Sequence, residues 1–551
     1  MTNIHVVDME NPPVPAPERE TKVDAVVIGG GPNGLICAAY LAKAGMKVAL
    51  LERRQECGGG LATEEILFPG TYANTHATYH MMVDYLPIMK DFDLKRHSLL
   101  FIKPNKQTGI VFKDGSSLLL CSNMLDSVDE IAKFSYKDAK AFEKMIRLYT
   151  KMVEEILAPG TYYPPIPPVE FAVKLGKTKV GKALLDISES SPLEIIDGAF
   201  TDTRVKAALL YISCMWGLSP EGTGLGFMVP LLIQRNLNKC LCVGGSHKLA
   251  SSLGKEIILA GGMIHENSEV TKIIMEGGRA IGAETYDGRR FLADIVVSSL
   301  DPHSNFKRLV GEDKLPKELA AYVDRWQWDK WSLFTLHVAL KEPPAYRAAD
   351  RNIGEAFMNI LGIETMEDVL EMTKSAMGGD ITKLAGHATT ETIYDKTLAR
   401  GNDGRHSAFL QTIAPYDIHD GWEKRQKEIE LSLLELWQDY ARNMNDENIV
   451  MRTSESPLDI ERRIPCMARG SIKHGDYSPL QMGYFRPNDL CSSSKTPIEG
   501  LYLCGASSYP GGLIIGGPGY IAANTVAEDA GVKKWWKMPD NIKKYVEVYL
   551  K

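Results

Sequence analysis

The sequence predicts an α/β fold of two interleaved domains. Three observations carry the prediction. A β-branched run near the N-terminus enters a glycine-rich turn and then a helix. A second strand and glycine loop recur near residue 500. Longer helical patterns lie between the two.

Residues 23–28, Val-Asp-Ala-Val-Val-Ile, suit a buried strand. They lead into Gly29-Gly-Gly31-Pro-Asn-Gly34 and then into residues 35–44, rich in helix formers and stopped by Gly45. A second strand over residues 47–51 ends at Glu52. This βαβ pattern has the G-x-G-x-x-G spacing and an acid close to the expected ~20 residues further on, which marks a Rossmann-like dinucleotide site. Gly29 is predicted to make the tight turn, Gly31 to let the backbone approach a pyrophosphate, and Gly34 to let the helix pack on the strand. The phosphate charge is expected at the helix N-terminus, where free N–H groups and the dipole favour an anion.

Two further features choose between NAD and FAD. Cys57-Gly58-Gly59-Gly60 is a second flexible turn, with Gly59 and Gly60 placed to hold the same pyrophosphate from the other side. Residues 500–524 repeat the strand, glycine loop and helix start, through Gly505, Gly516, Gly517 and Gly519. NAD held from one side needs no such return, whereas an extended FAD is gripped at both ends. The loop at Gly517 and Gly519 is expected to aim helix-terminal N–H groups at the flavin ring. No acid-terminated strand follows it, so no separate NAD domain is expected.

Gly277-Gly278 and Asp287-Gly288 are hairpin signals within residues 261–298, which read as a β-meander attached to the dinucleotide unit. Residues 136–157 and 422–444 carry helical patterns, and residues 159–168 are proline-rich. The expected organisation is an extended arm over residues 1–21; an FAD-binding Rossmann-like (βαβ, GxGxxG) domain from 22–100, 241–324 and 461–531; an interleaved α+β substrate domain from 101–240 and 325–460; and a basic tail over 532–551.

Composition narrows the partners. With 63 Lys and Arg against 70 Asp and Glu, the formal charge is −7, so nothing pulls the chain toward nucleic acid. Nine cysteines include no C-x-x-C pair and read as buried thiols. No stretch is long and apolar enough to span a membrane, and residues 1–20 lack the pattern of a secretory signal, so the expected location is cytoplasmic. Lys533-Lys-Trp-Trp-Lys537 suggests either a tail packed on its own subunit or a partner, or peripheral membrane contact.

Residues 26–34, Leu50-Leu-Glu-Arg-Arg54 with Gly58 to Gly60 and Thr63-Glu-Glu-Ile66, Gly244-Gly245-Ser246, residues 297–302 and residues 496–506 together carry a family resemblance. The chain resembles the phytoene-dehydrogenase-related FAD oxidoreductases, which include carotenoid desaturases and share a fold with flavin amine oxidases. The likeness runs from Thr21 to Gly531. It implies FAD across the first and last segments, with Glu52 and Arg53 at the adenosine end, Val270 near the adenine, and Gly505 and the 516–519 loop at the flavin. It implies apolar isoprenoid or terpene substrates and desaturation, isomerisation, saturation or water-derived allylic hydroxylation. Where the group often shows His and three glycines, this chain reads Tyr509-Pro-Gly-Gly-Leu513, a larger and less polar flavin face.

Hydride removal from a C–H bond asks the protein for a dry pocket and a route for a proton. Candidate bases near the motifs are His76 and His80, one turn apart if their segment is helical, together with His474 and Tyr509. No metal is expected, since no third ligand stands near the histidine pair. The leading reading is an FAD-dependent dehydrogenase of an apolar isoprenoid-like substrate. Its electron acceptor is a quinone, oxygen or a carrier protein, and the enzyme is a homo- or hetero-oligomer. The alternatives are a flavin amine oxidase, an FAD-dependent isomerase or saturase, and a partner subunit without turnover.

Overall fold

The computed structural model describes residues 19–399 and 405–551. The arm expected over residues 1–21 lies mostly outside these. Its last two residues belong to strand Glu20–Lys22, which pairs in parallel with Arg290–Leu292 and so extends a sheet.

Strand Ala25–Ile28, buried at every residue, is the centre of a five-stranded sheet. The order is Met263–His265, Val48–Leu51, Ala25–Ile28, Ile295–Ser298 and Leu501–Leu503, with every pair parallel. Parallel neighbours need a crossover, and helix Pro32–Lys43 supplies the first one. Ten of its residues are buried, because it packs on the sheet and against helices His247–Leu259 and Gly517–Asp529. Those contacts are close enough to exclude side chains. A Cβ at Gly34 would collide with the Gly29 carbonyl oxygen, and one at Gly519 with the Asn33 carbonyl oxygen.

The expected meander is a second sheet. Val270–Glu276, Arg279–Thr285 and Arg290–Leu292 run antiparallel, and Ile295–Ser298 then returns to the parallel sheet. Gly277 and Gly278, at φ 58° and 84°, make the turn whose twist matches a hairpin.

The third sheet has seven strands, ordered Ile449–Glu455, Ser332–Leu340, His406–Ala414, Gly386–Thr389, Met358–Leu361, Lys106–Val111 and Ser117–Cys121. Strand Ser332–Leu340 is buried on both faces. Its residues 334, 336, 338 and 340 join an apolar core with Trp422 and Trp437 of helix Trp422–Tyr440. By the two-residue period of a strand, Leu333, Thr335 and His337 face the other way, toward the sites described below.

Helix Tyr136–Met152 continues as a π-helical turn, Val153–Leu157. The tail folds back on its own chain. The Trp535 ring lies 5.8 Å from Tyr40 and under the Lys43 ammonium at 3.9 Å, and its indole N–H donates to the Tyr40 carbonyl at 3.3 Å. Trp536 is buried beside them, 4.9 Å from the Tyr40 ring. Both indoles thus pack on the first helix of their own chain, Trp536 buried and Trp535 partly exposed. No helix among the described residues is long and apolar enough to cross a membrane.

Candidate functional site

A cavity of about 440 Å3 opens at the carboxyl ends of Ala25–Ile28 and Val48–Leu51, where open α/β sheets bind ligands. Gly29, Gly31, Glu52, Arg53, Gly59, Gly60 and Val270, all named from sequence, line it. Gly31 has ordinary extended backbone and would meet nothing within 4 Å if it carried a Cβ, so its glycine leaves space rather than relieving strain. Gly29, at φ 91°, makes the turn instead.

Glu52 is buried and held by the backbone. Its carboxylate accepts N–H bonds from Gly30 at 2.7 Å and Arg54 at 2.8 Å, one on each oxygen. Burial pushes its pKa up from the ordinary carboxylate value despite those two bonds. Each oxygen keeps a lone pair for a ligand hydroxyl. Asn33 places a buried Oδ1 without a partner at the same helix start. Replacing Glu52 by Gln is expected to weaken cofactor affinity about tenfold, since one oxygen acceptor becomes an N–H donor facing the Gly30 or Arg54 amide. Flavin fluorescence titration of the stripped protein measures it.

The remaining cofactor candidates lie behind the cavity wall. Gly34, Gly505, Gly517 and Gly519 do not line it. A Cβ on Gly505 would strike the Ser299 carbonyl, and one on Gly517 the Thr161 carbonyl, so these glycines permit backbone packing. Of the final loop, the preceding residues Gly512, Leu513 and Ile514 reach the cavity.

The four candidate bases separate. His474 lines the cofactor cavity. His76 lines a smaller chamber of about 90 Å3 that shares Gly60, Met467, Leu513 and Ile514 with the cofactor cavity. His80 reaches neither. Its backbone pairs with Cys240, its Nε2 lies 3.4 Å from the Ser246 hydroxyl, and its ring meets Phe101 edge-on, so it packs as a core residue. Residues 75–80 are not helical, so the one-turn relation of His76 and His80 does not arise. Tyr509 donates its hydroxyl to the Gly160 carbonyl at 2.8 Å, and burial pushes its pKa far up, which removes it as a base. It walls a third, apolar cavity instead. No group of three or more His, Cys, Asp or Glu among the described residues is placed to hold a metal ion.

Burial lowers His76, His80 and His474 to about 4 and His387 to about 3. These lie below the ordinary 6.5, so as pH falls the unfolded chain takes up protons first. Their contribution to stability is full above pH 6.5 and is lost as pH falls toward 4. Glu391, raised by burial to about 8, and Glu52, Asp91, Asp301 and Asp476, also raised by burial, act in the opposite sense and offset part of this loss. The melting temperature is expected to drop steeply between pH 6.5 and 4. A flat profile over that range would contradict the buried neutral imidazoles.

Several lining residues carry no sequence motif. Arg463 lines the cofactor cavity while pairing with Glu455 at 2.5 Å, from the edge strand of the seven-stranded sheet. Leu513 borders all three cavities and, like Ile514, adopts a left-handed backbone, φ 68° and 55°. Such angles are costly for a β-branched side chain and mark a tightly constrained loop.

A parallel sheet, a glycine turn into a helix and a buried acid ending the second strand define an α/β dinucleotide-binding oxidoreductase fold. Residues 27–93 match the family model of the NAD(P)-binding Rossmann-like domain. The chain is 40% identical to a limonene dehydrogenase subunit of Castellaniella defragrans over 94% of its length and 97% of that protein. It is 23% identical to a lycopene-forming phytoene desaturase of Pseudescherichia vulneris over 90% and 96% of the two chains. Among solved structures, an oxidoreductase from Methanosarcina mazei shares the fold at TM-score 0.60 and 18% identity, covering 92% of this chain and all of that one. The chain belongs to the phytoene-dehydrogenase-related family of flavin-dependent oxidoreductases, whose dehydrogenases and desaturases act on C–H bonds.

Proposed function

We propose that the protein is an FAD-dependent dehydrogenase that removes hydride from a C–H bond of an apolar, terpene-like substrate. The apolar cavity carries this reading. It encloses about 440 Å3 between the helical segments and meets the cofactor cavity at Gly512 and Leu513. Phe171, Leu184, Leu231, Met482 and Phe485 line it, with Arg235 and Glu189 as charged residues in its wall. That guanidinium is occupied by Asp84 at 2.5 Å and the Met81 carbonyl at 2.6 Å. A 40%-identical relative named for limonene supports the substrate class.

The residues present fit FAD. Glu52 offers oxygens to ribose hydroxyls, Gly31 leaves room for a pyrophosphate at the helix start, and Gly59 and Gly60 close over it from the second turn. Bound there, the flavin supplies the two-electron oxidation. The protein excludes water with apolar walls, holds the substrate beside Leu513, and keeps the neutral imidazole of His474 in the cofactor cavity and that of His76 in the adjoining chamber. Burial keeps each imidazole neutral and lowers it to about 4, so it is a weak base, suited only to a strongly acidic proton such as one beside the cationic carbon left by hydride loss. The relative is named as one subunit of its dehydrogenase, which supports a hetero-oligomeric enzyme, and the electron acceptor in this reading is a quinone, oxygen or a carrier protein.

The alternative amine oxidase would have to accept a cation. The carboxylate lining the small chamber, Glu455, is already paired with Arg463 and lies 3.6 Å from His337. Although burial pushes its pKa up, those two partners hold it well below the usual carboxylate range. The test is anaerobic: limonene added to the flavin-loaded protein should bleach the flavin band, whereas a primary amine should leave it unchanged. Bleaching by the amine and none by limonene would reverse the assignment.

A further inference from the structure

The small chamber beside the cofactor cavity joins largely apolar walls to a polar floor. Its floor is the face of the seven-stranded sheet that carries Thr335, His387, Gln411 and Glu455. Across from it stand Thr75 and His76. The floor is held in place by its own hydrogen bonds. Gln411 donates to Thr335 at 2.8 Å, and His387 Nδ1 meets the Tyr211 hydroxyl at 2.9 Å. Opposite, the Thr75 hydroxyl and His76 Nε2 are buried without partners. Unsatisfied polar groups in a buried wall are costly unless a ligand or water completes them.

The polar floor presents no free charge. Glu455 is neutralised by Arg463, and both histidines are buried in the neutral form. An ammonium or carboxylate would find no counter-charge there, whereas a hydroxyl or carbonyl would find both donors and acceptors. Its volume, about 90 Å3, suits one small functional group and not a terpene skeleton. Met81 and Leu513 border this chamber and also the large apolar cavity, so one elongated molecule is able to enter both.

We infer that the chamber binds a neutral oxygen function, a hydroxyl or carbonyl, at one end of the substrate, whose apolar body occupies the cavity lined by the helices. This rests on the apolar-substrate reading above and narrows it to an oxygenated terpenoid in place of a bare hydrocarbon.

Binding to the flavin-loaded holoprotein is read from perturbation of the flavin absorption band, under anaerobic conditions and before any bleaching. The probes are limonene and three molecules of the same carbon skeleton bearing a hydroxyl: carveol, α-terpineol and perillyl alcohol. At least one alcohol should bind tenfold or more tightly than limonene. Thr335→Val, which is isosteric, and Gln411→Leu should each reduce that preference to threefold or less, while limonene affinity shifts by no more than twofold. Two variants keep the test open should one fail to fold. Equal affinity for limonene and all three alcohols in the unsubstituted protein would overturn the inference, as would a preference that survives both substitutions. If no probe perturbs or bleaches the flavin, the apolar-substrate reading itself fails. If limonene binds and bleaches as well as the alcohols, that reading stands and only the chamber's assignment falls.

Discussion

A Gly31→Val protein is expected to fold and to emerge from purification colourless. Gly31 precedes helix Pro32–Lys43 with extended backbone, and a Cβ there meets nothing within 4 Å. The added side chain therefore costs about 1 kcal/mol in helix capping and projects into the space left for a pyrophosphate. Flavin content should fall below about a tenth of the original, with melting near that of the stripped parent protein. Gly34→Ala, three residues on, should behave in the opposite way. Its methyl would collide with the Gly29 carbonyl, so the helix must move off the strand and the protein should be lost to aggregation, with overpacking costs of about 3 kcal/mol or more. Normal flavin content in the valine variant would remove Gly31 from the cofactor cradle.

Arg486→Leu is expected to be the most damaging single substitution away from the glycine turn. The Arg486 side chain is fully buried. Its guanidinium donates to the Lys473 carbonyl at 2.7 Å and the Ala506 carbonyl at 2.9 Å, with a longer bond to Gln481 at 3.2 Å. It also lies over the rings of Trp326 and Tyr477. These carbonyls belong to separate segments that converge beside His474 and Ala506 in the cofactor cavity wall. Leucine fills part of the volume and leaves the three carbonyls buried and unpaired, a loss of about 3–9 kcal/mol at 1–3 kcal/mol each. Arg486→Lys should rescue little, because an ammonium cannot reach the same fork of acceptors. The half-time of heat-induced flavin release measures both variants. An Arg486→Lys protein as stable as the parent would show that one positive charge, rather than the fork, holds these segments.

What was legible in the sequence was local. The glycine turn, its helix and Glu52 lie within thirty residues, so spacing alone places them in one site, and the structure puts Gly29, Gly31 and Glu52 on one cavity wall. The glycines of residues 505–519 were legible as glycines but not by role, because a residue that clears space for a ligand and one that clears space for a neighbouring helix look alike in a sequence. Gly31 and Gly519 differ only in what stands opposite them. The polar floor was illegible for a different reason. Strands Ser332–Leu340 and His406–Ala414 are covered on both faces, so the usual alternation of apolar and polar residues is blurred. Thr335 and Gln411 meet across 76 positions of chain. Arg486 carries no motif at all, since its partners are backbone carbonyls that any sequence would provide.

The packing of Trp535 on Tyr40 has a consequence for biosynthesis. These residues are 495 positions apart, and the central strand Ala25–Ile28 must also wait for Ile295–Ser298, itself flanked by Leu501–Leu503. At roughly 5–20 residues per second, the first βαβ unit spends on the order of 25–100 seconds on the ribosome before its covering helix and indoles exist. During that interval its apolar helix faces are exposed. The nascent chain is thus a natural client for chaperones, and slowing translation should lower the yield of folded protein instead of raising it.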